Sequence, residues 1–161
     1  MTKKEPDKPL PANISAEVAI LGSVLLDNAY FNAAAILDPE DFSLASHCIL
    51  WGRMTAMRDQ GMAIDYVTIL DELKANGEYR ELGETPAAYI ASLTEGLPRH
   101  PAVKEYVRIV KAKSLQRQLI GACESALKKA YDGESGWSII ASLRETLDEI
   151  ESIAKRGMRT V

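Results

Sequence analysis

Few residues in this chain are of the types that carry chemistry, and their spacing limits what they can do. His47 and His100 are the two histidines. They lie far apart, and neither has a second ligand at metal-binding spacing. His47 opens an amphipathic stretch and reads as a helix-start or core histidine. His100, between Pro98 and Pro101, reads as a solvated turn residue. The acidic pairs Glu40-Asp41 and Asp71-Glu72 fit helix termini and surface charge, not two carboxylates opposed across a cleft. Trp51, Met54 and Met57 recur at helical spacing, which predicts core. Cys48 and Cys123 both fall in apolar helical patterns, so buried thiols in a reducing compartment are expected rather than a disulfide. The sequence has no G-x-x-x-x-G-K-[ST] or G-x-G-x-x-G phosphate loop, no H-E-x-x-H and no C-x-x-C. These residues do not assemble an active site, and the chain reads as a binding module rather than an enzyme.

The elements that position them are all helical. In SAEVAILGSVLLDN (15–28), Val18, Leu21 and Leu25 form one stripe, with Ile20 and Val24 beside it. Ser15 is a candidate cap, and Glu17 falls in the first turn, where a negative charge suits the helix dipole. Gly22 costs about 1 kcal/mol against alanine in such a helix, so its presence predicts close packing against the backbone. Helices follow over 30–37, ending before Pro39, and over 46–60, ending at Gly61. Another is capped by Asp65 and ends at Asn76-Gly77, facing inward through Val67, Leu70 and Leu73 or through Ile69 and Leu73. The next opens at Thr85-Pro86, carries Tyr89, Ile90 and Leu93, and breaks at Gly96 and Pro98.

From Ala102 to Tyr131 there is no proline and one glycine. That predicts a single helix of ~45 Å at 1.5 Å per residue. After Asp132–Gly136 a last helix runs to about Arg156. Its Ile140, Leu143, Leu147, Ile150 and Ala154 step by 3 and 4, as do Ile120, Cys123, Leu127 and Ala130 on the long helix. The short connection makes the two antiparallel, with these two rows as the expected seam. The fold class is all-α: a compact helical head over 14–98 and a long antiparallel hairpin over 99–156, after a flexible leader, 1–13. Ile139 and Ile153 on the last helix, and Leu115 and Leu119 on the long one, lie off that seam. They pack on the head or face another copy.

Charge divides along the same line. Residues 1–98 hold 7 basic and 15 acidic side chains, net −8, whereas 99–131 hold 8 and 2, net +6. An acidic head joined to a basic helix favours matching between subunits or to a partner over a broad nucleic-acid surface. No apolar run is long enough to span a membrane, and the lysines at the start precede no secretory signal. A cytoplasmic location is expected.

Several fragments fit one family. Glu17 with Ala19-Ile20-Leu21-Gly22, Leu37-Asp38-Pro39-Glu40-Asp41-Phe42, and His47 with Ile49-Leu50-Trp51 resemble the amino-terminal domain of bacterial replicative DNA helicases of the DnaB type. The resemblance continues through Gly61, Asp65, Val67-Thr68-Ile69, Leu73, Ala88-Tyr89-Ile90, Leu93, Tyr106-Val107-Arg108-Ile109-Val110, Arg117, Leu119-Ile120 and Ala130-Tyr131. It covers roughly 12–156, and places Gly22, Phe42, His47 and Trp51 as structural residues.

The resemblance implies a non-catalytic domain that pairs into dimers and builds a collar on a hexameric helicase ring. It implies docking of primase and, in some systems, of a loader, with DNA met only indirectly and no membrane contact. No cofactor belongs to this domain, since ATP and Mg go to a separate motor domain whose linker would start at 157–161. The alternative is a stand-alone regulatory protein of mobile-element type that joins or blocks a helicase ring. Ile139, Leu143, Leu147, Ile150 and Ile153 are the self-association candidates. Lys104, Arg108 and Lys111, at i, i+4 and i+7, are the candidates for partner docking.

Overall fold

The computed structural model describes residues 8–159, with side chains through 157. Among the described residues seven helices follow one another: α1 Ile14–Leu26, α2 Phe31–Ala34, α3 Ala45–Asp59, α4 Tyr66–Ala75, α5 Pro86–Ser92, α6 Val103–Tyr131 and α7 Gly136–Arg159. Short 3-10 turns at Asn28–Tyr30, Pro39–Asp41 and Tyr79–Leu82 join them, and no strand occurs among the described residues. The all-α expectation is met.

Asn13, not Ser15, starts α1: its side-chain oxygen accepts from the Ala16 amide at 3.0 Å. The cap moves back because Ser15 already lies within the helix. At α4 the expected cap holds, with Asp65 Oδ1 accepting from the amides of Val67 (2.8 Å) and Thr68 (2.9 Å). Gly61 and Gly77 take positive φ, 72° and 73°, where α3 and α4 end. Of the two faces open to α4, the one through Ile69 and Leu73 is buried, while Val67 is 72% exposed. The helix expected over 30–37 is split, because residues 28–30 are wound more tightly ahead of α2. At the far end, α7 runs three residues past Arg156 into the segment expected as linker. Of the expected leader, 1–7 lies outside the described residues, as do 160 and 161 of the expected linker.

The core of the head gathers around α1 and α3. Ile20, Leu21, Val24, Leu50, Trp51, Met54 and Met57 are sealed from water, and each such side chain contributes roughly 1.5–3 kcal/mol on burial. Trp51 stacks on Phe31 with ring centroids 4.7 Å apart and lies 5.6 Å from the ring of Phe42. Its indole N–H donates to the Leu37 carbonyl at 2.9 Å, so the one polar atom of the ring is satisfied. Gly22 answers to close packing: a Cβ there would sit 2.0 Å from the Leu93 carbonyl oxygen at the end of α5.

Head and hairpin share α6. Val103, Val107 and Val110, at helical spacing, pack into the same core as α1, while the distal half of α6 has α7 beside it. Two cations pin this joint. Lys111 Nζ donates to Asp41 Oδ2 at 2.6 Å, and Arg117 donates to the carbonyls of Pro11 (2.8 Å) and Asp41 (2.6 Å). Asp41, expected at the surface, is therefore buried, and the chain at Pro11 is tied down.

The seam of the hairpin differs from the expected one. Between α6 and α7 lie Gly121, Ala122, Ser125 and Ala126 on one side and Ile139, Ser142, Leu143 and Thr146 on the other. Lys129 Nζ donates to Ser142 Oγ at 3.0 Å across the pair. Ile139 is thus in the seam and Ile140 outside it, the reverse of the sequence reading. Ala122 and Ile150 are buried and Ala126, Ile139, Leu143 and Thr146 half-buried, so these residues face inward and Ile140 and Leu147 are left exposed. Cys123 follows from the same shift: it is exposed rather than buried, and Cys48 is half-buried.

Candidate functional site

Three features of the molecule are candidates: a buried polar cluster in the head, a groove at the joint, and the outer face of the hairpin. The cluster forms because α1, α3 and α5 each turn one polar side chain inward. Glu17 Oε2 lies 2.6 Å from His47 Nδ1, and Glu17 Oε1 accepts from the Ser43 amide at 2.8 Å. The other ring nitrogen, Nε2, hydrogen-bonds the Tyr89 hydroxyl. Glu17 and His47 are both sealed from water. Burial raises the Glu17 carboxyl pKa, but the His47 and Ser43 hydrogen bonds outweigh it and hold the group below its ordinary value.

This arrangement ties three helices together and gives the buried polar atoms of Glu17, His47 and Tyr89 a partner, while Ser43 Oγ is buried beside it without one. The imidazole is enclosed between the Glu17 carboxylate and the Tyr89 hydroxyl. What the sequence reading missed was the partner: Glu17 was legible as dipole charge, not as the buried carboxylate facing His47. The available signal was a carboxylate flanked by apolar residues on both sides of the helix turn. Among the described residues no group of His, Cys, Asp and Glu gathers as metal ligands.

At the joint, α6 and α7 diverge over the head and leave an apolar groove of about 480 Å³. Ile36, Val107, Leu115, Ile150 and Ile153 line it, and Arg108 and Lys111 stand in its wall. Of the row Lys104, Arg108 and Lys111, the last two therefore stand at this groove, and Lys104 is outside its lining. The row is not uniform. Lys111 is committed to Asp41, Arg108 pairs with the exposed Glu105 at 2.6 Å, and Lys104 is exposed. An exposed pair of this kind contributes little, so Lys104 and Arg108 can turn to a partner.

Along the hairpin, an antiparallel pair places the residue after each seam position on one common side. On α6 that side carries Leu119, Cys123 and Leu127, and on α7 it carries Ile140 and Leu147 with the exposed Arg144 between them. Leu127 is 57% and Ile140 48% exposed, and Tyr131 and Trp137 stand open at the tip. The five sequence candidates for self-association are thus dispersed. Ile150 is buried, Ile139 and Leu143 are half-buried in the seam, Ile153 borders the groove, and Leu147 alone belongs to the outer apolar face. Leu119, Cys123, Leu127 and Ile140 join it there. Ala122 and Ala126, small residues four apart on one side of α6, were the sequence signal for this register.

Residues 9–112 match the family described as the DnaB-like helicase N terminal domain. The chain belongs to that family. The DnaB-like domain is 35% identical to replicative DNA helicase DnaB of Geobacillus stearothermophilus over 147 residues, 91% of this chain and 32% of that protein. It is 28% identical to replicative DNA helicase DnaC of Bacillus subtilis (strain 168) over 162 residues, 100% of this chain and 32% of the relative. The chain spans about a third of the length of these curated relatives.

Its fold is that of the crystal structure of the N-terminal domain of DnaB helicase from Mycobacterium tuberculosis, with a TM-score of 0.77 at 25% identity. That match covers 88% of this chain and 99% of the other. A second neighbour, a DnaB-like replicative helicase described with its interactions with primase, shares the fold at TM-score 0.69 and 22% identity. It covers 87% of this chain and 31% of its own. No helix among the described residues of the DnaB-like domain is long and apolar enough to cross a membrane.

Proposed function

We propose that this domain is the non-catalytic collar element of a cytoplasmic replicative DNA helicase. It joins copies of itself, as a dimer and as part of a hexamer collar in the full-length helicase. It also offers docking surfaces to primase and to a loader, and meets DNA only indirectly. Unwinding, with its ATP and Mg, falls to a motor domain outside this chain.

The observation that carries the reading is the outer hairpin face, where Leu119, Cys123, Leu127, Ile140 and Leu147 present one apolar strip along two helices. Continuous apolar surface of this kind marks an interface, and two such strips make a self-complementary two-fold contact. The joint groove, with Lys104 and Arg108 beside it, is the partner-docking surface. The likeness to a helicase described with primase supports the docking half of this reading.

Sedimentation velocity of the purified domain tests the first half. The parent should be a dimer at micromolar concentration, and Leu127→Asp a folded monomer with unchanged helicity. A Leu127→Asp protein that sediments like the parent would remove the hairpin face from the interface. Association with the cognate primase at two ionic strengths, for the parent and Arg108→Glu, tests the second half.

A further inference from the structure

The corner of the head where α1 ends and α4 begins holds a cavity separate from the joint groove. It measures about 230 Å³ and is lined by Leu25 and Leu26 of α1, Tyr66 of α4, Ile90 and Ala91 of α5, and Thr94 just past that helix. Its floor is apolar, since Leu25 and Ile90 are buried. Its rim is open: Leu26 is 65% and Tyr66 42% exposed. The Thr94 hydroxyl at the edge is already used, donating to the Ala91 carbonyl at 2.9 Å. A space this size lies below the range of small-molecule sites and suits a single large apolar side chain.

Each chain segment that lines the cavity carries a carboxylate at the adjoining position. Asp27 follows Leu26, Asp65 precedes Tyr66 and Glu95 follows Thr94, and all three are exposed. Backbone amides fix the first two: Asp27 accepts from Ala29 at 2.9 Å, and Asp65 from Val67 and Thr68. The Thr68 and Val67 amides hold the Asp65 carboxyl below its ordinary pKa, so it stays charged. No cation on these segments offsets the three, because residues 9–52, 59–73 and 81–98 contain no lysine and no arginine. Such a rim repels phosphates and anionic lipid surfaces and draws in cations.

We propose that this corner binds a basic segment of another protein, in which one aliphatic or aromatic side chain fills the cavity and flanking lysines or arginines meet Asp27, Asp65 and Glu95. The apolar seat supplies the anchor, and the carboxylates around it fix orientation and speed encounter. The site shares no lining residue with the joint groove and none with the outer hairpin face. It therefore stands apart from the roles proposed above for those two surfaces.

Fluorescence polarisation at low and high salt tests this. The probe is a labelled synthetic peptide with one central leucine, lysines on both sides and glycine elsewhere, titrated with the purified domain. It should bind, and more weakly as salt rises. Replacing its leucine by alanine should weaken binding by about tenfold or more, the effect expected of one buried apolar side chain. On the protein, Ala91→Phe at the exposed rim should close the cavity and abolish binding with unchanged helicity. Glu95→Lys, a surface change outside the cavity lining, should weaken binding by about tenfold and independently of any effect on packing. A peptide that fails to bind at low salt overturns the inference. So does an alanine peptide that binds equally, since charge alone is then at work. Binding untouched by both Ala91→Phe and Glu95→Lys places the peptide elsewhere and overturns it too. If Ala91→Phe instead lowers the mass of the domain in sedimentation equilibrium, the cavity seats another copy of this chain and the inference falls.

Discussion

The carboxylate of Glu17 and the imidazole of His47 meet at 2.6 Å between α1 and α3, both out of reach of water. Such a pair stabilises only while both members are present and the carboxylate is ionised. The Glu17 pKa in the fold lies below its ordinary 4.5, so this contribution is complete above that value. It is lost as pH falls through the lower, folded-state pKa. Urea denaturation of the parent should lose stability below about pH 4.5, and Glu17→Gln should lack that component. At neutral pH Glu17→Ala should cost about 3 kcal/mol, because His47 is left buried without its acceptor. Equal stability of parent and variant at pH 7 would show that the pair holds nothing together.

Gly22 should not accept a side chain. Helix propensity favours alanine by about 1 kcal/mol, but a Cβ 2.0 Å from the Leu93 carbonyl oxygen forces α1 and the end of α5 apart. Gly22→Ala should therefore lower stability by about 1–3 kcal/mol, read from thermal or urea unfolding. A stabilised variant would mean that α5 gives way freely.

The two cations on the proximal part of α6 should differ sharply. Lys111 faces the buried Asp41, so Lys111→Ala strands a carboxylate and should cost about 3 kcal/mol. Arg108 pairs with Glu105 in the open, and Arg108→Ala should change stability by about 0.5 kcal/mol or less. Chemical denaturation of the two variants side by side checks the ranking.

Neighbouring isoleucines on α7 should part company as well. Ile140→Asp places a charge on the outer strip and should separate the dimer while leaving the helices folded. Ile139→Asp puts it against Ala122 and Ala126 and should melt the hairpin, seen as lost helicity and a lower Tm. The same behaviour from both would contradict the register of the seam.

Titration calorimetry with ATP and Mg is expected to show no saturable binding at micromolar nucleotide, because no phosphate-cradling loop is present in the sequence.

Local chemistry was legible in the residues themselves. Asp65 followed by an apolar period, Pro86 at a helix start, and glycines at 61 and 77 place helix ends because their cause lies within a few residues. Gly22 announced a close approach without naming Leu93, since a missing side chain reports the neighbour's distance but not its identity. The ordered fragments from Glu17 to Tyr131 carried the family, which the match over 9–112 establishes.

What tertiary structure decided was direction. The rows 139-143-146-150 and 140-143-147-150 are both helical stripes that share Leu143 and Ile150 and differ by one position at the other two, and periodicity ranks them by apolarity. The fold instead turned Ala122 and Ala126 of α6 and Ile139 and Leu143 of α7 inward. Ile140 and Leu147 were thereby left exposed. Likewise the charges of Glu17, Asp41 and Lys111 were visible in the sequence, but their burial was not. Each meets its partner across 30 or 70 positions of chain, and only the fold of α1, α3 and α6 around one core brings those positions together.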